Sequence, residues 1–211
     1  MGQTQNEEFQ NKVCIITGGA GSIGMESAKL MYEAGARVML VDQDRDSLET
    51  AKINFKDDDR IMVCEADVSD SAQTKDYITK TITKWDKIDI LFANAGFSGT
   101  SAPITSYPDD IFDKVMAVNV RGSFLACKYA LPEMNDKGSI IITSSIMGVT
   151  ARPGSIAYIT SKHALIGLMR GVAKEAAPRN IRVNVLAPGP VDNAFQLEIV
   201  ERASKASGTN V

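Results

Sequence analysis

Six short runs of aliphatic and β-branched residues recur along the chain, separated by longer segments with helical spacing of apolar residues. The predicted strands are residues 13–16, 38–41, 61–63, 88–92, 139–142 and 181–186. Several runs are apolar throughout rather than alternating, which is typical of a parallel sheet covered on both faces. The sequence therefore predicts an α/β fold: a doubly wound (Rossmann) parallel β-sheet with helices on both faces, in three α/β/α layers.

Helices are predicted between these strands, at residues 23–34, 47–55, 72–85, 109–133 and 157–177. We expect the fourth of them to be broken near Val118. The 211 residues contain no internal repeat, low-complexity segment or linker that would divide the chain. We therefore expect one domain over residues 1–211.

The charge balance argues against a nucleic-acid partner. The formal net charge is -3 and the pI is about 5.3, and the sequence has no cluster of cations for a phosphate backbone. No apolar run approaches the roughly 20 residues of a membrane helix, and the first ten residues lack the pattern of a secretion signal. We expect no membrane partner and a cytoplasmic location.

Cysteine and histidine usage gives no indication of a disulfide framework or a metal site. Cys14, Cys64 and Cys127 are an odd, widely separated set within apolar stretches, which favours reduced thiols in the core. The single histidine, His163, has no acidic or thiol neighbour at ligand spacing. We expect no bound metal.

A glycine-rich turn directly follows the first predicted strand, with the sequence Thr17-Gly18-Gly19-Ala20-Gly21-Ser22-Ile23-Gly24. Glycines permit positive φ and let a pyrophosphate approach backbone N–H groups, while the following helix contributes the positive end of its dipole. Such turns also occur for geometric reasons alone. The turn predicts a dinucleotide site only in combination with its context.

Asp42 supplies that context, because it ends the second predicted strand 18 residues beyond Gly24. A carboxylate here can accept hydrogen bonds from both adenosine ribose hydroxyls and would repel a 2′-phosphate, which favours NAD(H) over NADP(H). Arg37 and Arg45 leave room for a phosphate clamp, although neither directly follows Asp42. The alternative is a solvated acid or a cap for the next helix.

Tyr158 and Lys162 stand at i and i+4, on the same side of one helical turn. A tyrosine has a pKa of about 10, and a nearby cation would lower it, which would make Tyr158 an effective acid/base. Ser145, 13 residues upstream of Tyr158, follows the fifth predicted strand, where its hydroxyl can hold a reacting oxygen. In isolation such a Tyr/Lys pair is more often a surface pair, but the joint order of these motifs makes coincidence improbable.

Together these motifs resemble the classical short-chain dehydrogenase/reductase family over nearly the whole chain. The matching stretches are Thr17 to Gly24, Asp42, Asp67-Val68, Asn94-Ala95-Gly96, Asn119-Val120-Arg121-Gly122, Ser144-Ser145, Tyr158 to Lys162 and Pro188-Gly189-Pro190-Val191. The resemblance implies hydride transfer between a nicotinamide and a secondary alcohol or ketone. It implies that Tyr158 is the general acid/base, that Ser145 positions the carbonyl, and that Lys162 lowers the pKa of Tyr158 and binds the nicotinamide ribose.

The resemblance also assigns the other site residues. Asn119 would break its helix and hold a proton-relay water linking Lys162 to solvent; the alternative is a helix cap. The cofactor-binding residues it implies are Gly18, Gly21, Ser22, Ile23, Gly24, Asp42, Asp67, Val68, Asn94, Ala95, Gly96, Tyr158, Lys162, Pro188, Gly189 and Val191. Those after the third strand would contact adenine, and those after the sixth would contact the nicotinamide. Outside this family pattern, each stretch would be an ordinary turn, and Asp67 a side-chain cap.

The chain departs from the family pattern in three places. Ser22 stands where the family usually has glycine, and Asn193 where it often has threonine, although the Asn193 amide can still donate to a carboxamide. The chain stops at Val211, so by the resemblance the later helix and last strand, which complete the substrate pocket and a subunit interface, would be lacking. A natural short form would expose the sixth strand as an unpaired edge, so we expect a longer native protein. We also expect a homo-oligomer, a dimer or tetramer.

The alternative function is a non-catalytic NAD(H)-binding regulator or scaffold. A pure binder would not need Asn119, Ser145, Tyr158 and Lys162 together, which favours the enzyme. An epimerase or dehydratase would normally need a larger substrate domain. The expected substrate is a small alcohol or carbonyl compound, and the candidate pocket residues are Phe97, Ser98, Ile146, Met147, Ser155 and residues 190–197.

Overall fold

The computed structural model describes residues 8–56, 59–192 and 197, and its described residues form one six-stranded parallel sheet. The strands are β1 Val13–Thr17, β2 Arg37–Asp42, β3 Ile61–Glu65, β4 Ile88–Ala93, β5 Met134–Thr143 and β6 Arg182–Leu186. They lie in the order β3-β2-β1-β4-β5-β6. This is the strand order of a dinucleotide-binding doubly wound sheet, and it reverses between β1 and β4. The predicted fold class is confirmed.

Six α-helices connect or flank these strands in the described part of the chain. They are α1 Ser22–Glu33, α2 Arg45–Lys52, α3 Ser71–Trp85, α4 Asp109–Val115, α5 Gly122–Ala130 and α6 Ile156–Ala176. Carboxylates define the starts of two of them: Asp44 accepts from the Ser47 N–H before α2, and Asp70 accepts from the Gln73 N–H before α3. Such side-chain caps satisfy N–H groups that the helix leaves unpaired.

The core consists of two apolar layers, one on each face of the sheet. In β1, Val13 and Ile15 pack into the layer formed with α3, α5 and α6, whereas Cys14 and Ile16 pack into the layer formed with α1 and α2. All five residues of β1 are buried, because both of its faces are covered. This double coverage explains why the predicted strand at residues 13–16 is apolar throughout.

The cysteines and the histidine lie as predicted. The three thiols are free and buried, and burial raises the pKa of Cys14 and of Cys127 to about 12. His163 is exposed on α6, where its Nδ1 lies 3.0 Å from the Ile159 carbonyl oxygen. Within the described ranges there is no group of three or more metal-ligating side chains, and no helix is long and apolar enough to cross a bilayer.

The structure contains the break predicted in the fourth helix, and among the strands the start of β5 differs most from its predicted position. The break expected near Val118 is a π-helical turn over Met116–Arg121 that joins α4 to α5. β5 begins at Met134, five residues before the predicted strand, and its pairing with β4 shifts register between Ile88 and Ile90. The polar residues that follow Met134 carry no strand pattern, so the sequence did not reveal this extension. Among the described residues β6 pairs with β5 alone, which leaves its other edge open.

Candidate active site

A cleft of about 400 Å³ crosses the carboxyl edge of the sheet where the strand order reverses. Its volume is in the range of small-molecule sites, and this edge is where doubly wound sheets bind ligands. The predicted site residues that line it are Gly18, Gly21, Ser22, Ile23, Asp42, Asp67, Val68, Asn94, Ala95, Gly96, Ser145, Tyr158, Lys162, Pro188, Gly189 and Val191. Of the predicted set, only Gly24 and Asn119 are not part of its wall.

The glycine-rich turn forms one wall of the cleft. Gly18 has a φ of +63°, and a Cβ there would lie 2.9 Å from the Ala95 Cα. A Cβ on Gly24 would lie 2.2 Å from the Gly18 carbonyl oxygen, so Gly24 acts by letting α1 pack against the turn. The N-cap of α1 is Gly21, which provides no side-chain hydrogen bond. The start of α1 therefore meets the cleft with the positive end of its dipole.

Asp42 lies at the end of β2 and lines the cleft beside this turn. Its Oδ2 accepts from the Ala20 N–H at 3.2 Å, and its Oδ1 accepts from the Gln43 N–H at 2.8 Å. The alternative interpretation of Asp42 as the cap of the next helix is wrong, because Asp44 caps α2. Asp42 is thus a carboxylate fixed by backbone donors at the rim of a ligand-sized cleft.

The residues after β3 lie at the same end of the cleft as Asp42. Val68 is buried, whereas Asp67 is exposed and its Oδ1 accepts from the N–H and the hydroxyl of Ser69, at 2.8 and 2.7 Å. Asp67 is not the cap of α3, because Asp70 has that position. It stabilises a local turn instead.

Asn94 lines the cleft and connects the ends of three strands there. Its Nδ2 donates to the Thr17 and Gly18 carbonyls at 3.2 and 3.3 Å, and its Oδ1 accepts from the Thr143 hydroxyl at 3.0 Å. The Thr17 hydroxyl in turn accepts from the Asn94 and Ala95 N–H groups. The sequence analysis did not predict that Thr17 and Thr143 support the site. The signal that could have identified them is a threonine at the end of each of two buried strands.

Lys162 is buried on α6, with only 3% of its surface exposed. Its Nζ donates to the Thr143 carbonyl at 2.8 Å, and its own carbonyl accepts from the Ser144 hydroxyl at 2.8 Å. Burial lowers the pKa of Lys162 to about 8, because the charged form loses its hydration. Its Nζ lies 5.4 Å from the centroid of the Tyr158 ring.

The sequence predicts that Lys162 lowers the pKa of Tyr158, but the shift in the structure runs the other way. Burial raises the pKa of the Tyr158 phenol, and this effect exceeds the opposing effects of a hydrogen bond with Ser145 and of the Arg152 charge. The physical reason is desolvation of the phenolate, while the Lys162 ammonium is directed at the Thr143 carbonyl. Ser145, Tyr158 and Lys162 do lie together at one end of the cleft, as predicted.

Asn119 is fully buried in the π-helical turn. Its Oδ1 accepts from the Phe97 N–H at 2.7 Å, and its Nδ2 donates to the Phe97 carbonyl at 3.0 Å and to the Ser161 hydroxyl at 2.9 Å. The predicted break of its helix is confirmed, and the alternative of a simple helix cap is wrong. Asn119 holds the segment after β4 against α6, behind the wall of the cleft.

The segment after β6 closes the cleft over Ser145. The Pro188 carbonyl accepts from the Ile146 N–H at 2.9 Å, and Pro188, Gly189, Pro190 and Val191 all line the cleft. Of the candidate pocket residues, Phe97, Ile146 and Met147 also line it, whereas Ser98, Ser155 and Leu197 do not. Asn193, with the rest of residues 193–196, lies outside the described residues.

Sequence reasoning missed two cations that line the cleft, Lys114 on α4 and Arg152 in the segment before α6. Nothing in the local sequence distinguishes them from other exposed basic residues. Their position depends on how α4 and α6 pack together.

Comparison with known proteins identifies similar sequences and structures. A family model described as short chain dehydrogenase matches residues 12–204. The chain is 38% identical over 186 residues to short chain aldehyde dehydrogenase 1 of Euphorbia lathyris, a match that covers 87% of this chain and 65% of that protein. It is 35% identical over 188 residues to levodione reductase of Leifsonia aquatica, covering 87% of this chain and 70% of that protein. The chain thus spans about two thirds of the length of these curated relatives.

A similar solved structure is that of xylitol dehydrogenase with bound NAD+. It superimposes with a TM-score of 0.88 at 34% sequence identity, over 94% of this chain and 78% of that chain. The likeness therefore covers the sheet, the glycine-rich turn and the elements that carry the cleft.

Proposed function

Because the chain belongs to the short-chain dehydrogenase family, whose members are oxidoreductases, we propose that it transfers a hydride between NAD(H) and a secondary alcohol or ketone. One observation carries the proposal. A single cleft has Asp42 and the glycine-rich turn at one end and Ser145, Tyr158 and Lys162 at the other. A nicotinamide dinucleotide needs a phosphate site and a ribose acid at one end and reacting groups at the other.

The residues of the cleft fit a dinucleotide. Gly18, Gly21 and the start of α1 would hold the pyrophosphate, and Asp42 would accept from the adenosine ribose hydroxyls. Asp67 and Val68 would contact the adenine, and Pro188, Gly189 and Val191 would contact the nicotinamide. When bound, the nicotinamide supplies the carbon that gives or takes the hydride.

A preference for NAD(H) over NADP(H) is supported by the positions of three charges. Asp42 would repel a 2′-phosphate at the rim of the cleft. Arg37 is the first residue of β2 and Asp42 is the last, so the two lie at opposite ends of the strand. Arg45 does not line the cleft. It lines a separate cavity, together with Glu49. Neither arginine is positioned to clamp a 2′-phosphate.

Ser145 and Tyr158 would handle the reacting oxygen and its proton. The Ser145 Oγ accepts from the Met147 N–H at 3.1 Å, which leaves its O–H able to donate to a substrate oxygen. Because burial raises the pKa of Tyr158, the phenol is protonated at neutral pH and can donate to a ketone oxygen as that oxygen gains negative charge. In the reverse direction the Tyr158 oxygen would take the alcohol proton.

Lys162 would act as a ribose ligand. Its ammonium has three donors, and the Thr143 carbonyl uses one of them. The others would be available to the hydroxyls of the nicotinamide ribose at this end of the cleft. With Asn119 held behind it, Lys162 would also receive protons through a water at the π-helical turn.

The test compares Tyr158→Phe with the unaltered protein, by NADH absorbance over a panel of cyclic and aliphatic alcohols and ketones. We expect the variant to lose turnover by a factor of about 10³ or more, while fluorescence titration shows NADH binding within about twofold. Tyr107→Phe, which changes a tyrosine that does not line the cleft, is the matched control. Full activity in Tyr158→Phe would remove this residue from its role. Tight NADH binding without turnover of any compound would instead favour the regulator or scaffold.

The remaining predictions from the sequence form part of this proposal. They are a single domain over residues 1–211, a cytoplasmic location, a homo-oligomer and the absence of nucleic-acid and membrane partners. Light scattering coupled to size-exclusion chromatography would report the mass of the assembly.

A further inference from the structure

The charges that line the cleft are separated by sign. The carboxylates, Asp42 and Asp67, follow β2 and β3. The cations are Lys114, Arg152 and Lys162, and the last two are carried by the segment and helix beyond β5. β2 and β5 are three strand spacings apart, roughly 14 Å. The end of the cleft with Ser145 and Tyr158 therefore has a positive potential that the proposed cofactor contacts, apart from Lys162, do not use.

Arg152 is an exposed cation without a carboxylate partner among the described residues. Its Nε donates to the Ser155 hydroxyl at 3.3 Å, an interaction that fixes the guanidinium near the start of α6. It lies close enough to Tyr158 for its charge to act on the phenol. The Nη groups of Arg152 have no hydrogen-bond partner in the described part of the chain, so they remain available to a ligand.

Lys114 is the second such cation. It is exposed on α4, and its Nζ lies 5.0 Å from the centroid of the Phe97 ring. Asp109, Asp110 and Asp113 lie on the same helix, but none of them lines the cleft, and none pairs with Lys114 within residues 8–56 and 59–192. Both cations therefore line the cleft, and neither has a carboxylate partner among the residues that the structure describes.

Apolar side chains share this end of the cleft with the two cations. Phe97, Ile146 and Met147 line the cleft with Lys114, Arg152 and Ser145. A ligand that fits such a wall has an apolar segment and an anionic end. A guanidinium recognises a carboxylate with two parallel hydrogen bonds, which fixes orientation as well as charge.

We propose that the substrate is a carboxylic acid, a keto or hydroxy acid with a short apolar chain, whose carboxylate is bound by Arg152 with Lys114 in support. This inference rests on the proposed function, since it names the substrate class of the same site. The carbonyl or hydroxyl would lie between Ser145 and Tyr158, and the carboxylate would lie toward the segment before α6. Arg152 is then a specificity-determining residue.

A binding experiment tests the inference without requiring turnover. Hexanoate and hexanamide have the same chain and differ in charge, and both are titrated by calorimetry into the NADH-loaded protein. We expect hexanoate to bind about tenfold more tightly than hexanamide, the scale of one charge-assisted hydrogen-bonded contact. Arg152→Gln should reduce that ratio to about twofold, and Lys114→Gln should lower it by a smaller factor.

Matched controls come from α6. Arg170→Gln and Lys174→Gln make the same side-chain changes at exposed positions that do not line the cleft, and they should preserve the ratio. Three outcomes would each overturn the inference without contradicting the proposed function. They are equal affinities for hexanoate and hexanamide, no binding of either compound, and an unchanged affinity ratio in Arg152→Gln. A protein that binds no NADH would contradict the proposed function, and the same titration without NADH would then decide the inference.

A kinetic comparison separates substrate recognition from an effect through Tyr158. Turnover of a 3-oxo acid is compared with that of its methyl ester in the unaltered protein and in Arg152→Gln. A carboxylate contact predicts that kcat/KM falls about tenfold more for the acid than for the ester. If Arg152 acted only on the pKa of the phenol, kcat/KM would fall by the same factor for the acid and for the ester, with a shifted pH profile. That result would contradict the inference.

Discussion

The Lys162 ammonium donates a 2.8 Å hydrogen bond to the Thr143 carbonyl, and this bond joins the middle of the site helix to the end of β5. The ammonium is buried, and it lies 5.4 Å from the centroid of the Tyr158 ring. The bond therefore anchors α6 to the sheet as well as placing a cation in the cleft.

This burial predicts how stability depends on pH. The pKa of Lys162 falls from 10.5 to about 8 on folding, so below pH 8 both states are protonated and the cost of burying the charge is fully present. Between pH 8 and 10.5 only the unfolded state keeps the proton, so stability rises with pH. The difference in the free energy of unfolding between the unaltered protein and Lys162→Met should therefore shift in favour of the unaltered protein, by roughly 3 kcal/mol between pH 8 and 10.5. Urea unfolding at several pH values measures it; Lys174→Met is the control, and a constant difference would contradict the prediction.

Gly24→Ala should damage the phosphate turn, because its Cβ would lie 2.2 Å from the Gly18 carbonyl oxygen. We expect a loss of roughly 3 kcal/mol in the free energy of unfolding, together with weaker NADH binding. Gly167→Ala is the matched control, since a Cβ there meets nothing within 4 Å and the residue lies inside α6. That change should stabilise by about 0.5–1 kcal/mol. Chemical denaturation of both variants checks the prediction. If both substitutions lower the free energy of unfolding, or both raise it, the prediction is wrong.

Asn119→Leu should destabilise the segment after β4. The change leaves the Phe97 N–H and carbonyl without their partner and removes the bond to the Ser161 hydroxyl. We expect a loss of about 3 kcal/mol, because unpaired buried polar groups cost about 1–3 kcal/mol each. Ser123→Ala, which removes only the bond to the Asn119 carbonyl, should cost about 1 kcal/mol. Similar losses in the two variants would show that the Asn119 side chain does not hold this segment.

Asp42→Asn should relax the choice of cofactor. The substitution removes the negative charge while the amide oxygen can still accept from the Ala20 N–H. We expect the ratio of kcat/KM for NADPH to that for NADH to rise about tenfold or more, as the repulsion of a 2′-phosphate is lost. The control is Asp44→Ala, which removes the cap of α2 at a position outside the cleft and should leave this ratio unchanged. An unaltered ratio in Asp42→Asn would exclude a ribose role for this carboxylate.

The sequence by itself determined the sheet, the turn and the order of the site residues. Strand and helix periodicity is local, so the apolar runs at residues 13–16 and 38–41 identified β1 and β2 without any tertiary information. The glycine-rich turn, Asp42, Ser145 and Tyr158 each stand next to an element end. In a parallel sheet those ends meet at one edge, which made their proximity predictable.

The tertiary structure decided what depends on burial and on contacts between distant elements. The pKa of Tyr158 is raised because desolvation by burial outweighs the hydrogen bond with Ser145 and the charge of Arg152, and the i, i+4 spacing of Tyr158 and Lys162 does not reveal this burial. Asn94 joins Thr17 to Thr143 across 126 residues of chain because β4 lies between β1 and β5. Arg152 and Lys114 likewise look like ordinary exposed cations in the sequence. In the structure α4 packs against α6, and both cations line the same cleft.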